Sequence, residues 1–174
     1  MKAPLFPVFL AGLFLLVSCT KGDLSDGGST VTENTSPVAS SVNKTVMLQL
    51  VNDVRTKGCQ CGDTYYNPVP TVSWNNQLEA AAYEHSEDMY WNNYFNHIAP
   101  DGSNGGVRIQ QAGYNWTTFG ENIASGYKGE KEVVAGWLQS PSHCKNIMNR
   151  SFKEMGVARA GNYWTQEFAA KTIQ

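Results

Sequence analysis

Met47, Leu50, Val51 and Val54 fall at i, i+3, i+4 and i+7, which predicts an amphipathic helix over about 43–57, stopped by Gly58. Residues 58–73 hold two glycines and two prolines and read as a loop. A second helix opens near Asn76, with Glu79 as the partner of a capping box. Its apolar stripe is Leu78, Ala81, Ala82, His85 and Met89, continuing to Tyr94. Gly102, Gly105 and Gly106 mark a loop before a short helix around Val107–Ala112, and Glu121–Ala124 reads as a buried strand. Glu130 and Glu132 open another helix, placed favourably against its dipole, with Val133, Val134, Trp137 and Leu138 facing inward. Ser140-Pro141 then reads as N-cap and N1 of a short helix through Met148. Met155–Ala160 and Tyr163–Ala169, joined by Gly161-Asn162, predict an antiparallel hairpin. Helices first and strands later imply an α+β fold in which helices flank a small antiparallel sheet.

The N-terminus breaks this pattern. Lys2 precedes an apolar run from Ala3 to Val17, shorter than the roughly 20 residues a spanning helix needs and interrupted by Pro4 and Pro7. Residues 1–18 are therefore expected to be a signal peptide. The ending Leu16-Val17-Ser18-Cys19 resembles a bacterial lipobox, which implies acylation of Cys19. The stretch 20–44 is rich in Ser, Thr, Gly and Asn and poor in large apolar side chains, so a flexible tether is expected over 19–44. Such a tether reaches roughly 25–30 Å. The folded domain is then expected over 45–170, with 171–174 as a tail. Localisation follows as the cell envelope, with the protein lipid-anchored to the outer membrane or cell surface.

Charged residues make up only 16% of the chain, and the formal net charge is −2. No basic patch stands out, which excludes nucleic acid as an expected partner.

Candidate chemistry concentrates in three histidines and one glutamate. His85 lies within an apolar helix stripe and reads as a hydrogen-bonded core histidine. His97, in NYFNHIAPDGS, follows the second helix and has room to face a cleft. His143 sits in the first turn of a short helix, whose dipole should lower its pKa and keep the ring neutral. Glu121 borders a short apolar strand, where a buried carboxylate needs a partner that a histidine could supply. Ser86 and Ser142 neighbour histidines in sequence, but adjacent helix residues point apart, so neither makes a nucleophile–base pair.

The segments AAAYEHSEDMYWNNYFNH, APDGS, AGYNW, GENIASG, GWLQSPSHCKNIM and GVARAGNYWTQEF resemble, in order, the motifs of the CAP superfamily in its bacterial form. That superfamily includes the cysteine-rich secretory proteins, antigen 5 and the plant pathogenesis-related proteins; its domain is also called SCP. The resemblance implies an α-β-α sandwich with a central cleft. In eukaryotic members the cleft carries two histidines and two glutamates that can bind zinc. Carried onto this chain, one histidine matches His97 and one glutamate matches Glu121. The second glutamate falls near Ser140 and the second histidine on Tyr163, before Thr165-Gln166, so both are absent. His143 could refill the cleft, making His97, Glu121, His143, Tyr163 and Gln166 the expected cleft residues.

Two neutral imidazoles, His97 and His143, could hold zinc with open positions, although three protein ligands are usual in a catalytic site. No cofactor is therefore required, and a divalent metal is an option. The same residues could instead form a hydrogen-bonded polar cluster, a metal site or a hydrolytic site.

With Cys19 acylated, Cys59, Cys61 and Cys144 remain. A Cys59–Cys61 bond would close a small strained ring, so Cys144 is expected to pair with either Cys59 or Cys61. A zinc site built on the same cysteines and His143 is the alternative. Tyr65, Tyr66, Tyr90, Trp91, Tyr94 and Trp116 offer aromatic surface for sugars or lipid, while Trp74, Trp137 and Trp164 suit the core. The expected function is a non-enzymatic envelope module binding a lipid, glycan or protein ligand. A metal-dependent hydrolase or protease, and a disulfide-stiffened structural module, are the alternatives.

Overall fold

The computed structural model describes residues 42–172. The expected signal peptide, Cys19 and nearly all of the tether lie outside the described residues, as do 173–174. In chain order the elements are α1 (Lys44–Lys57), β1 (Cys59–Cys61), β2 (Thr64–Tyr66), β3 (Ser73–Trp74), α2 (Asn76–Trp91), α3 (Gly105–Gln111), β4 (Trp116–Ser125), α4 (Glu130–Gln139), α5 (Pro141–Ile147), β5 (Glu154–Ala160) and β6 (Tyr163–Lys171).

The central sheet has the order β3-β5-β6-β4. β5, β6 and β4 run antiparallel, whereas the two residues of β3 pair parallel to β5. Strand alternation sends successive β6 residues to opposite faces. Trp164 and Phe168 join Met47 and Val51 of α1, Val133 and Trp137 of α4, and Ile147 of α5 in the larger core. Ala169 faces the other way and packs with Leu78 and Ala81 of α2, Ile109 and Tyr114. This is the expected α-β-α sandwich, with α2 and α3 on one face and α1, α4 and α5 on the other.

Several local expectations change. Residues 58–73 contain a small hairpin, β1–β2, and the first residue of the short strand β3. Asn75 caps α2, its side chain accepting from the N–H groups of Gln77 and Leu78. Glu79 makes no capping box. Its carboxylate instead accepts from Trp74 Nε1 at 3.1 Å and pairs with Lys44 at 2.5 Å, joining α1 to α2. β4 is longer than its apolar stretch suggests because nine of its ten residues, all but Thr117, pair with β6. β6 extends to Lys171, which shortens the expected tail, and Asn43 caps α1 by accepting from Val46 N–H.

Two positions hold the layers at close range. Gly156 of β5 lies so near α2 that an added Cβ would stand 2.0 Å from Glu79 N and 2.4 Å from the Leu78 carbonyl carbon. Arg55 of α1 is fully buried, with no carboxylate partner among its bonds. It donates to the carbonyls of Pro70 (2.8 Å), Ile147 (2.6 Å), Asn149 (3.0 Å) and Phe152 (3.3 Å), tying α1 to the end of α5 and to the approach to β5. Burial lowers its pKa to about 10, so it stays charged at neutral pH.

The disulfide joins Cys61 to Cys144, leaving Cys59 as a thiol. It fastens the β1–β2 hairpin to α5, the helix that carries His143.

Candidate functional site

The site gathers where β4, an outer strand of the sheet, meets α2, α3 and the segment after α2. Glu121 of β4 is directly opposite Glu167 of β6. Both side chains point to the α2–α3 face. Gly105, at the start of α3, leaves room for them: a Cβ there would lie 3.2 Å from Glu121 Oε2 and 3.2 Å from Glu167 Oε1.

Glu121 is nearly buried and doubly engaged. His97 Nδ1 lies 2.5 Å from its Oε1, and Arg108 of α3 donates to its Oε2 at 2.5 Å. An ionised carboxylate only accepts, so His97 carries a proton on Nδ1 and presents Nε2 outward. The His97 side chain is 51% exposed, which makes it the accessible end of the cluster. Arg108 also donates to the carbonyls of His97 and Ser103, at 3.1 and 3.0 Å, and so holds the His97 loop in place.

His85 belongs to the same cluster. It is fully buried, with Nε2 3.9 Å from Glu121 Oε1 and Nδ1 3.5 Å from the Tyr94 hydroxyl. Its place in the apolar stripe of α2 made it read as a core histidine; it is buried, but beneath the cleft beside a carboxylate.

Glu167 is the largest omission from the sequence reading. It is fully buried, and neither oxygen has a protein hydrogen-bond donor. Burial first, and then the charge of Glu121, push its pKa well above the usual carboxylate range. It is therefore protonated and can donate toward Glu121. Burial also acts to raise Glu121, but the hydrogen bond from His97, the proton of Glu167 opposite and the charges of Arg108 and His85 outweigh it and bring its pKa down to about 2. The pair thus carries one charge and one proton. Sequence pattern offered one signal for Glu167: it shares strand parity with Thr165 and Ala169, not with core-facing Trp164 and Phe168.

His143 approaches from the α5 side and is half-buried. Its pKa is lowered by burial and then by the nearby charge of His97, the direction expected from its place in the chain. Burial likewise lowers His85. His143 lines a pocket of about 300 Å³ with Phe95, Ile123, Ser125, Tyr127, Trp137 and Ser140. Tyr163 borders this region, its ring 6.2 Å from that of Phe95, which is 52% exposed. Gln166 is not at the cleft surface. It is fully buried on the opposite face of β6 from Glu167, where Asn122 Nδ2 donates to its Oε1 at 2.9 Å.

The aromatic candidates separate. Tyr65, Tyr90 and Trp91 are exposed, whereas Tyr94 turns inward to Asp88 and His85. Trp116 packs edge-on against Phe119, and Trp137 and Trp164 are core, with Trp74 half-buried against it.

The donor set fits zinc poorly. Both Glu121 oxygens are taken by His97 and Arg108, and Glu167 holds a proton; of the three imidazoles His85 is fully buried, which leaves His97 and His143. Among the described residues, the group of three metal-type ligands whose donor atoms gather within 4.8 Å is Cys59, Cys61 and Cys144. Two of these are joined in the disulfide.

This fold and motif order define a class. The profile of the Cysteine-rich secretory protein family (CAP) matches residues 48–169, and the chain belongs to that family. The chain is 40% identical over 96 residues to the uncharacterised protein YkwD of Bacillus subtilis, covering 54% of this chain and 37% of YkwD. It is 31% identical over 122 residues to the uncharacterised membrane protein YlbC of the same organism, covering 70% of this chain and 33% of YlbC. It therefore spans about a third of the length of these relatives.

Among solved structures, an extracellular protein with an SCP domain from Bacillus anthracis matches at 32% identity and TM-score 0.66, over 74% of this chain and 40% of that one. An outer surface protein of Borrelia burgdorferi matches at 20% identity and TM-score 0.63, over 74% of this chain and 92% of that one, which shows the shared fold. Among the described residues, no helix is long and apolar enough to cross a membrane.

Proposed function

We propose that this chain is an extracytoplasmic binding module, lipid-anchored through Cys19 and carried on the 20–44 tether, whose cleft takes a glycan. The observations that carry this reading are the half-exposed His97 ring, held by Glu121, and a separate aromatic pocket lined by Phe95, Tyr127 and His143, whose pKa the charge of His97 lowers. Aromatic faces stack on the C–H surfaces of sugars, while a few fixed polar groups set orientation. Phe95, Tyr163 and Tyr127 supply the first element; His97, His143 and Ser125 supply the second. No metal is required for such recognition. The surface or extracellular descriptions of the Bacillus anthracis and Borrelia proteins accord with the proposed location.

The test is binding of the full chain to soluble glycan strands released from purified peptidoglycan, the glycan nearest a tethered envelope protein. Saturable binding is expected, weakened at least tenfold in both Phe95→Ala and His97→Ala, each still folded by circular dichroism. Absence of binding, or binding by either variant as tight as wild type, overturns the reading.

A second reading rests on the His97–Glu121 pair. A carboxylate-held imidazole with a free Nε2 is also the arrangement of a general base. Release of smaller fragments from the same strands, lost in His97→Ala, would favour a hydrolase over a binding module.

A further inference from the structure

The cysteine cluster lies apart from the cleft and has chemistry of its own. Cys59 and Cys61 are two residues apart on β1, so strand alternation points both side chains to one side. Cys144 of α5 meets them there. The Cys59 Sγ is 3.4 Å from the Cys144 Sγ and 3.7 Å from the Cys61 Sγ, in contact with both halves of the disulfide. The three sulfurs differ in access: Cys144 is fully buried, Cys61 is 4% exposed, and Cys59 is half-buried.

We propose that the three cysteines form a thiol–disulfide exchange site in which Cys144 changes partner between Cys61 and Cys59, making the disulfide reachable by low-molecular-weight thiols. In the internal step the Cys59 thiolate attacks Cys144 Sγ. The Cys59–Cys144 bond forms, the Cys61–Cys144 bond breaks, and Cys61 leaves as a thiolate that takes up the proton Cys59 gave to solvent. One disulfide and one thiol stand on each side, so no outside oxidant or reductant is consumed. The sulfurs form a triangle, and Cys59 must rotate about its Cα–Cβ bond to come into line with the bond it attacks.

Exchange moves the bond from two buried sulfurs to one that includes half-buried Cys59. An external thiolate can then attack Cys59 Sγ, forming a mixed disulfide and releasing the Cys144 thiolate. Burial raises the Cys59 pKa, so the internal step quickens as pH rises.

The test uses the full chain, oxidised, incubated at pH 8.5, quenched in acid, alkylated with N-ethylmaleimide and mapped by fragmentation between Cys59 and Cys61. Label is expected on both Cys59 and Cys61. Cys61→Ser is expected to retain a disulfide as Cys59–Cys144. Cys59→Ser, which keeps the buried Cys61–Cys144 bond, is expected to be reduced by glutathione at least tenfold more slowly than wild type. Label confined to Cys59 at every time point overturns the exchange. Reduction of Cys59→Ser at the wild-type rate overturns the route for external thiols, whether or not Cys61→Ser folds.

Discussion

Glu121 and Glu167 face one another across β4 and β6, and only Glu121 carries a charge. Arg108 and His97 hold the charge from one side, while Glu167 keeps a proton in a fully buried position. The accessible His97 ring therefore rests on a cluster whose electrostatics are settled below the surface.

The two carboxylates should respond oppositely to the same substitution. Glu121→Gln leaves Arg108 buried beside a neutral group and is expected to cost roughly 3–5 kcal/mol. Glu167→Gln replaces a neutral acid by a neutral amide, and should be close to silent at pH 5 and stabilising at pH 8. Urea unfolding of both variants at the two pH values checks this. Equal destabilisation by both would remove the one-proton description.

The pH profile follows from the signs. His85 and His143 have folded pKa values below the ordinary 6.5. Above that value neither state is protonated there; below it the unfolded chain takes up protons that the folded chain resists, so stability falls. Glu167 acts the other way. Its folded pKa lies above the ordinary 4.5, so its contribution is full below 4.5 and declines as pH rises through the folded value. Glu121, held at about 2, contributes above 4.5 and loses that contribution as pH falls toward 2. Melting temperatures from pH 4 to 8 should show a flatter acid limb in His85→Gln and a flatter alkaline limb in Glu167→Gln.

Arg55 is a fold residue, and its removal should say so. Arg55→Met preserves bulk but leaves four carbonyls without their donor, three of them around the end of α5 and the approach to β5. A loss of roughly 3–5 kcal/mol is expected, since each unpaired buried acceptor costs about 1–3 kcal/mol and some regain water. Chemical denaturation measures it; a change under 1 kcal/mol would mean those carbonyls find other partners.

Gly156→Ala tests the closeness of α2 to the sheet. The new methyl meets backbone rather than a side chain that can move, so a loss above about 4 kcal/mol or failure to accumulate folded protein is expected. A folded, near-native variant would show that α2 can shift away from β5.

Zinc titrated into the oxidised chain should show no cleft site tighter than roughly 100 μM, because two imidazoles fall short of three protein ligands. Calorimetry on wild type, His97→Ala and His143→Ala decides this. Tight one-site binding lost in both variants would establish a metal cleft despite Arg108.

Helix placement was legible because burial imposes periodicity, as at Met47–Val54 and Val133–Trp137, while the β5–β6 hairpin, buried on both faces, is marked by its Gly161-Asn162 turn between two strand-forming runs. The motif order was equally legible, and with it the family and the sandwich. What chain order could not convey was which side chains meet. Glu167 differs from its neighbours in the last strand only by strand parity, and its role appears once β4 sets Glu121 opposite it. His85 has the same local pattern whether an apolar core or a carboxylate lies above it. Arg108 and Arg55 look like ordinary surface charges until the partners 13 and up to 97 residues away are known. Cys61 and Cys59 are equivalent by strand alternation, so pairing with Cys144 depended on where α5 comes to rest. Periodicity records which face is buried; charge pairing, proton sharing and disulfide choice depend on distances between segments remote in sequence, which only the packed layers set.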